Sequence, residues 1–524
     1  MMPTIQYYKK LLLLLVIILL PGACLLASSS TIIDDLDKKI KVPRIKDNVY
    51  KVLNLISERS GYLFIYDSKI VDNQEIVRLN EGEYDIREAV KLATGNQEIE
   101  IKLVGRHALI YIPEKRATGN NIGKDSLQIS PKKDSVITVS GRLLDRGTGE
   151  PIPFATIYIE KSSYATISNL SGDFRLVYPD TLTTFMVKIS HMGYISREID
   201  YSLLNRQTPT IFLDQKVIPL QEIVVRVVDP LTSIREMLRK RDNNYSDIPT
   251  YITAFYREGV EYKKNITLTE AVIQIYKAPV SSFFVFDQAK LLKKRRVSKE
   301  FEKDTLVTKV RSSINSILML DIVSNPPDFI SPEFFQLYNY THTDITTIDD
   351  RRVYKFSFEQ KPNINEPLYK GDIYIDAENS ALLKAQFEIN PTYVAKSKDM
   401  LIMKRSKNID LTPMKVEYNI SYRNYNGKYY VSHVRSDLKF KVKRKKSLFS
   451  TPLNVWFEMV NCKIDTLNVK KFSPSEKISP RDILSDTEFE YDENFWGQFN
   501  VIIPEDKLKE LINLYIFNSE QKTK

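Results

Sequence analysis

Between Ile137 and Arg226, turn-forming residues interrupt the chain about every ten positions, and this spacing restricts the fold more than any other stretch. Ile137 to Leu143 alternates as a half-buried strand does. Asp145 to Pro151 then gathers two glycines and a proline, Gly supplying positive φ and Pro presetting φ. Further strands are predicted over Phe154 to Ile159, Phe174 to Val177, Val187 to Ser190 and Thr210 to Leu213. Ser171-Gly172-Asp173 and Met192-Gly193-Tyr194 supply the turns between them. Short strands with such punctuation predict an antiparallel β-sandwich.

The 524 residues leave room for three or four domains of ~100–200 residues each, the sandwich among them. Tyr (30) and Phe (24) outnumber Gly (16), which favours β structure with aromatic cross-strand pairs. At the start, Lys9-Lys10 precedes the apolar run Leu11 to Leu20, which is shorter than a membrane-spanning helix. Small residues follow, so residues 1–29 read as a secretory signal peptide. Ala27-Ser28-Ser29 suits ordinary cleavage; Gly22-Ala23-Cys24 resembles the end of a lipoprotein signal, which would lipidate Cys24, although Pro21 is atypical there. In both cases Cys462 has no internal partner, and the exported chain folds without disulfides. The expected location is the periplasm or the outer membrane's surface. The net charge of +10 gathers partly at Lys293 to Arg296 and at Lys441 to Lys446. Lys439, Lys441 and Lys443 alternate with Leu438, Phe440 and Val442, which describes one solvated strand face. An exported chain is not expected to meet nucleic acid; an anionic lipid or glycan surface is the partner this charge suits.

In chain order, residues 31–113 form a first folded unit. Val52, Leu53, Leu55 and Ile56 have helical spacing, closed by Ser60-Gly61. Strands follow at Tyr62 to Tyr66 and Val77 to Leu79, and Asp85 caps a helix running through Ala93. Ile99 to Leu103 and Ala108 to Ile112 make a hairpin about Gly105-Arg106. Residues 114–134 read as a polar linker, 135–228 as the sandwich, and 229–250 as a helical connector opened by Asp229-Pro230. From residue 251 to 524 the chain is strand-rich. Met414, Val416, Tyr418, Ile420 and Tyr422 share one face, Asn426-Gly427 makes a hairpin, and Tyr430, Val434, Leu438, Phe440 and Val442 return on the partner strand. The fold class is therefore multidomain and mainly β: a small α+β unit, a sandwich, then a large curved antiparallel sheet or half-barrel with a C-terminal helix at Glu505 to Ile516. A transmembrane barrel fits the strand pattern but not the polar terminus or Pro326-Pro327.

Several motifs resemble known families. Val139 to Arg142, Gly149 to Ile157, Ser171 to Phe174, Ser190 to Tyr194 and Leu220 to Val225 resemble the carboxypeptidase regulatory-like domain, a transthyretin-like sandwich. The resemblance implies a non-catalytic module of the kind that precedes the plug in TonB-dependent receptors of Bacteroidetes-type bacteria. Asn169-Leu170, where an acidic pair is common, and His191, where an aromatic is usual, depart from the pattern. Ser60 to Asp67, Ile86 to Val90 and Ala108 to Ile112 resemble the secretin and TonB N-terminal short domain, which implies contact with another envelope protein. The hairpin Gly371 to Asp376 with Leu383 to Phe387 resembles the periplasmic lipoprotein-carrier fold, a curved sheet holding a lipid. Ala254 to Glu258 and Asn494 to Asn500 look like segments of uncharacterised proteins that pair this part with the regulatory-like sandwich.

The chain offers little reaction chemistry. None of His107, His191, His342 and His433 has a zinc-ligand neighbour at motif spacing. His433 falls on the polar face of its strand and reads as a solvated surface residue. Asp349-Asp350 reads as a turn, and Asp321, Asp376 and Asp492 are too far apart in sequence to select a pair. Trp456 reads as core; Trp496 is the candidate for stacking on a ligand. No catalytic, cofactor or metal residue is assigned. The expected function is non-enzymatic binding in the cell envelope, as an accessory to outer-membrane uptake or signalling. The alternatives are a carrier of lipid or another hydrophobic ligand in the C-terminal sheet, and a glycan-active enzyme.

Overall fold

A computed structural model describes residues 35–67, 70–72, 75–104, 107–112, 135–204, 208–216, 228–263, 265–282, 285–299, 309–310, 314–404, 408–445, 447–478, 496–506, 508–510 and 512. Its first strands are β1 (Lys39–Val42), β2 (Ile45–Asn48), β3 (Leu63–Asp67), β4 (Ile76–Leu79), β5 (Gly82–Asp85), β6 (Glu100–Val104) and β7 (His107–Tyr111). Then come β8 (Val136–Asp145), β9 (Thr156–Ile159), β10 (Ala165–Ile167), β11 (Asp173–Pro179), β12 (Met186–Ser190), β13 (Arg197–Asp200) and β14 (Pro209–Leu213). The C-terminal part carries β15 (Thr250–Tyr262), β16 (Asn265–Lys277), β17 (Gln288–Lys299), β18 (Lys309–Val310), β19 (Tyr338–Ile348), β20 (Arg351–Gln360), β21 (Tyr369–Asp376) and β22 (Leu382–Ile389). It ends with β23 (Ile402–Lys404), β24 (Ile409–Tyr425), β25 (Lys428–Arg444) and β26 (Ser450–Asp465). The protein is mainly β, as the sequence implies.

The chain divides into two compact units. In the first, whose described residues are 35–61 and 75–97, β1 pairs with β5 and β2 with β4, both antiparallel. Its helices are Val49–Ser60 and Ile86–Thr94. Asn48 caps the first by accepting from the Lys51 N–H at 2.9 Å, and Gly61 ends it at φ 79°, a conformation that costs glycine least. Asp85 caps the second by accepting from the Glu88 N–H at 2.6 Å. The first helix buries Val52, Leu53 and Ile56 and the second Ile86, Ala89 and Val90, as their spacing predicts, whereas Leu92, expected on the apolar side of the second, is 43% exposed.

In the second unit, β11-β8-β14-β3-β7-β6 form one six-stranded mixed sheet, and β10-β9-β12-β13 a four-stranded one. The two enclose a core of Val139, Leu143, Ile157, Phe174, Leu176, Ile189 and Ile211. The sandwich sheet continues past its own edge: Pro209 and Thr210 of β14 pair with Asp67 and Tyr66 of β3. Ile65 and Leu109, from strands N-terminal to the expected linker, join that same core. The linker itself and Leu220 to Val225 lie outside the described residues.

The largest element is a ten-stranded antiparallel sheet, β17-β16-β15-β26-β25-β24-β22-β21-β20-β19, open at both edges. Its hairpins rest on residues that tolerate positive φ: Asp349 and Asp350 at 50° and 63°, Asn426 and Gly427 at 51° and 80°. One face is apolar and carries Tyr256, Ile273, Phe356, Phe387, Val416, Ile420, Val434 and Phe440. The helix Ile314–Leu318 and the 3-10 turns Asp328–Ile330 and Pro332–Leu337 cover it with Ile317, Phe329 and Phe335. Phe329 stacks on Phe358, ring centres 4.2 Å apart. The helix Pro230–Arg239, capped by Asp229 as its sequence predicts, adds Ile234 and Met237 to the same core. A β-bulge between Pro413 and Lys415 breaks the expected alternation, so Met414 points to solvent and is 53% exposed. The helix expected at Glu505 to Ile516 is described at only a few positions, Asp506 and Leu508 to Glu510 among them.

Candidate functional site

The second face of the ten-stranded sheet is polar, and strand register organises it. One row of side chains crosses every strand: Thr341, Ser357, Asp372, Gln386, Asn419, Arg435, Glu458, Arg257, Glu270 and Arg295 are successive cross-strand partners. The last five alternate in charge and are recessed. Arg257 is 0% exposed, Glu270 1% and Glu458 2%. Charges are tolerated there because each meets its opposites. Arg257 donates to Glu270 at 2.8 Å, Arg295 reaches Glu270 at 2.5 Å, and Arg435 reaches Glu458 at 3.2 Å. Burial opposes ionisation of Glu458, yet His433 at 3.8 Å together with Arg435 and Arg257 holds its carboxyl down to about 2.

The sandwich covers this buried half, with residues 496–503 as the seam. Asn500 mimics a strand partner for β11: the Val177 N–H donates to its Oδ1 at 2.6 Å, and its Nδ2 donates to the Val177 carbonyl at 2.8 Å. Asn169 explains its departure from the family pattern. Its Oδ1 accepts from the N–H groups of Ser171 and Asp173, shaping the turn, and its Nδ2 donates to the Ile503 carbonyl at 3.1 Å. Arg257 donates to the Ile502 carbonyl at 2.5 Å. Trp496 meets Phe255 edge-on at 5.4 Å and lies under Arg295 at 5.0 Å, so the structure places the stacking candidate in this seam. Trp456 is half-buried rather than core; it lies across Gly259, where an added Cβ would come within 2.3 Å of the indole.

Phe154 marks where the cover ends. It holds a left-handed backbone at φ 59°, costly for a bulky residue. Its ring stacks on His433 at 5.1 Å with Arg435 at 5.5 Å. His433 is thus on the polar face, as its alternation predicts, but at 2% exposure it is not the solvated residue expected. The sequence could not show that another module lies over that face.

Two cavities flank Phe154. The first, about 670 Å³, is lined by Asn339, Thr341, Ser357, Gln386, Asn419 and Glu388 among others. Three of its carboxylates are ion-paired, Glu388 with Lys370 at 3.4 Å, Glu417 with Lys415 at 2.7 Å and Asp437 with Arg435 at 2.9 Å. The second, about 400 Å³, lies between the sandwich residues Thr156, Tyr158 and His191 and the sheet residues Lys384, Ser421 and Arg423. On the aromatic side, the cavity bordered by Tyr245, Ile252 and Tyr422 is only about 30 Å³. Among the described residues, Ile317, Phe329 and Phe335 from helical segments pack onto the aromatic strand faces that suggested a lipid cavity.

The other sequence candidates disperse. Asp321 is ion-paired to Lys277 at 2.7 Å beneath the aromatic face, and Asp376 pairs with Arg351 at a hairpin end. Cys24, Asp492 and the His107 side chain lie outside the described residues. Cys462 is buried and unbridged. Among the described residues no group of three His, Cys, Asp or Glu side chains is placed to hold a metal. The row, the seam and the two cavities were missed in sequence because they depend on strand register; the readable signal was the polar alternation of β24 and β25.

A family model described as the CarboxypepD_reg-like domain matches residues 139–225. A comparison with curated proteins found no match. Among solved structures, the chain is similar to a DUF1329 family protein from Desulfovibrio piger at 12% identity and TM-score 0.21, covering 46% of this chain and 96% of that one. It is also similar to a domain described for outer-membrane lipoprotein sorting from Vibrio parahaemolyticus, at 8% identity and TM-score 0.20, covering 45% and 93%. Likenesses at that level carry no functional weight.

Proposed function

We propose that this chain is a non-enzymatic binding protein of the cell envelope, and that its ligand is a polar, hydroxyl- and amide-rich segment such as a glycan. The observation that carries this reading is the 670 Å³ cavity on the polar face. Its amides and hydroxyls offer paired donors and acceptors, and its ion-paired carboxylates are fixed acceptors, which suits a ligand dense in O–H and N–H groups. Among the described residues the opposite, aromatic face is packed by Ile317, Phe329 and Phe335, whereas the part of the polar face that the sandwich leaves uncovered carries this cavity. On this reading residues 1–29 direct export, residues 31–113 serve as a secretin/TonB-type short domain that meets an envelope protein, and the sandwich is a rigid wall of the site. The protein would assist outer-membrane uptake or signalling in a Bacteroidetes-type bacterium.

Calorimetry of the mature chain against envelope oligosaccharides and, separately, phospholipid vesicles tests this. Saturable oligosaccharide binding, lost in Thr341→Trp, is expected; that position is exposed on the cavity wall, so the fold should survive. Vesicle binding without any oligosaccharide binding would overturn the proposal.

A further inference from the structure

The second cavity carries a charge imbalance. Lys384 and Arg423 both line it. Arg423 is 6% exposed and donates through Nη2 to the Ser163 carbonyl at 2.8 Å, while its Nε and Nη1 have no hydrogen-bond partner. Lys384 stands between Tyr374 and Ser421 in its cross-strand row. Neither Lys384 nor Arg423 meets a carboxylate among the described residues. The other charges on the wall are already matched. Asp349 accepts from Tyr158 at 3.0 Å and lies 3.4 Å from Lys188, and Arg351 is paired with Asp376 and Glu378. Buried cations are retained only when something compensates them, and unpartnered buried donors in a native fold need an explanation.

We propose that the 400 Å³ cavity binds a small oxyanion group, a carboxylate or a phosphate, between Lys384 and Arg423. The neighbouring histidines supply an internal reporter. Burial and then the Lys384 charge hold His191 down to about 4, and His433 is lowered by burial with Lys384 contributing. An anion seated beside Lys384 cancels that charge and raises both. Lys384, Arg423 and His191 line this cavity and not the polar groove, so the assignment does not rest on what the groove takes.

The test uses the mature full chain, titrated with inorganic phosphate and, separately, with acetate, while His191 and His433 are followed by NMR. Saturable binding of at least one anion is expected, with the His191 pKa rising by about one unit, since one opposite charge nearby shifts a pKa by this much. Lys384→Met should weaken binding at least tenfold, and Lys384→Gln serves if the Met variant does not fold. Thr341→Trp should leave anion binding unchanged. Phosphate alone would identify a phosphoryl ligand, and acetate a carboxylate. Failure of both anions to bind, or equal binding in the Lys384 variants, would overturn the assignment whatever the oligosaccharide experiment gives.

Discussion

Replacing Lys384 by Met should make the protein more stable, and the size of the gain follows from where the ammonium sits. Burial lowers the Lys384 pKa from 10.5 to about 8. A group whose folded pKa lies below its unfolded one binds its proton less tightly when folded. Below pH 8 both states are protonated, so the whole cost of burying the charge is present there. The cost is relieved as pH rises from about 8 to 10.5 and is absent above that. At ~1.4 kcal/mol per unit the difference corresponds to roughly 3 kcal/mol at pH 7, an upper figure because part of the side chain stays hydrated. Met keeps the length of the stem and its contacts while removing the charge. Urea denaturation of the wild-type chain and the Lys384→Met variant, in a buffer free of phosphate and carboxylates, measures the gain. Between 1 and 3 kcal/mol at pH 7 is expected, shrinking as pH approaches 10. Added phosphate or acetate should narrow the gap by stabilising only the wild type. A variant less stable than wild type at pH 7 would refute the reasoning, because it would mean that Lys384 has a compensating partner.

Arg257→Met should cost about 3–5 kcal/mol by leaving Glu270 and Glu458 short of a cation in a buried row; adding Glu458→Gln should recover part of it, and a loss below ~1 kcal/mol in melts would contradict the buried charge row. Asn500→Ala should leave both polar groups of Val177 unpaired, costing about 1–3 kcal/mol each, and hydrogen exchange at the Val177 amide should accelerate. His191 is depressed to about 4, so stability conferred by its neutral ring is full above pH 6.5 and is lost as pH falls toward 4. Acid titration of His191→Gln should show a shallower decline in that window than wild type.

Local signals foretold local structure well. Asp85, Asp229 and Gly61 cap the helices they were expected to cap, and Asn426-Gly427 makes its hairpin, because capping and turn geometry depend on a few adjacent residues. The family model over residues 139–225 agrees with the sandwich read from its turn spacing. Alternation also separated the two faces of β25, with Val434, Leu438 and Phe440 in the core. What alternation could not supply is what lies over each face. His433 and Arg435 have the sequence environment of surface residues, yet Phe154 of the sandwich stacks on the first and flanks the second. Likewise Arg257, Glu270 and Glu458 are scattered across about two hundred positions, and their adjacency follows from the pairing of β15 with both β16 and β26.

The Asn500–Val177 pair joins residues 323 positions apart. Synthesis from the N-terminus completes the sandwich long before the segment that fastens it has been made. During that interval the edge of β11 has no cover, and the charged row of the sheet has not yet been assembled. The fastening is therefore a late event in folding, and until it happens the sandwich edge is open to other strands, which makes it the point where a chaperone would be most useful.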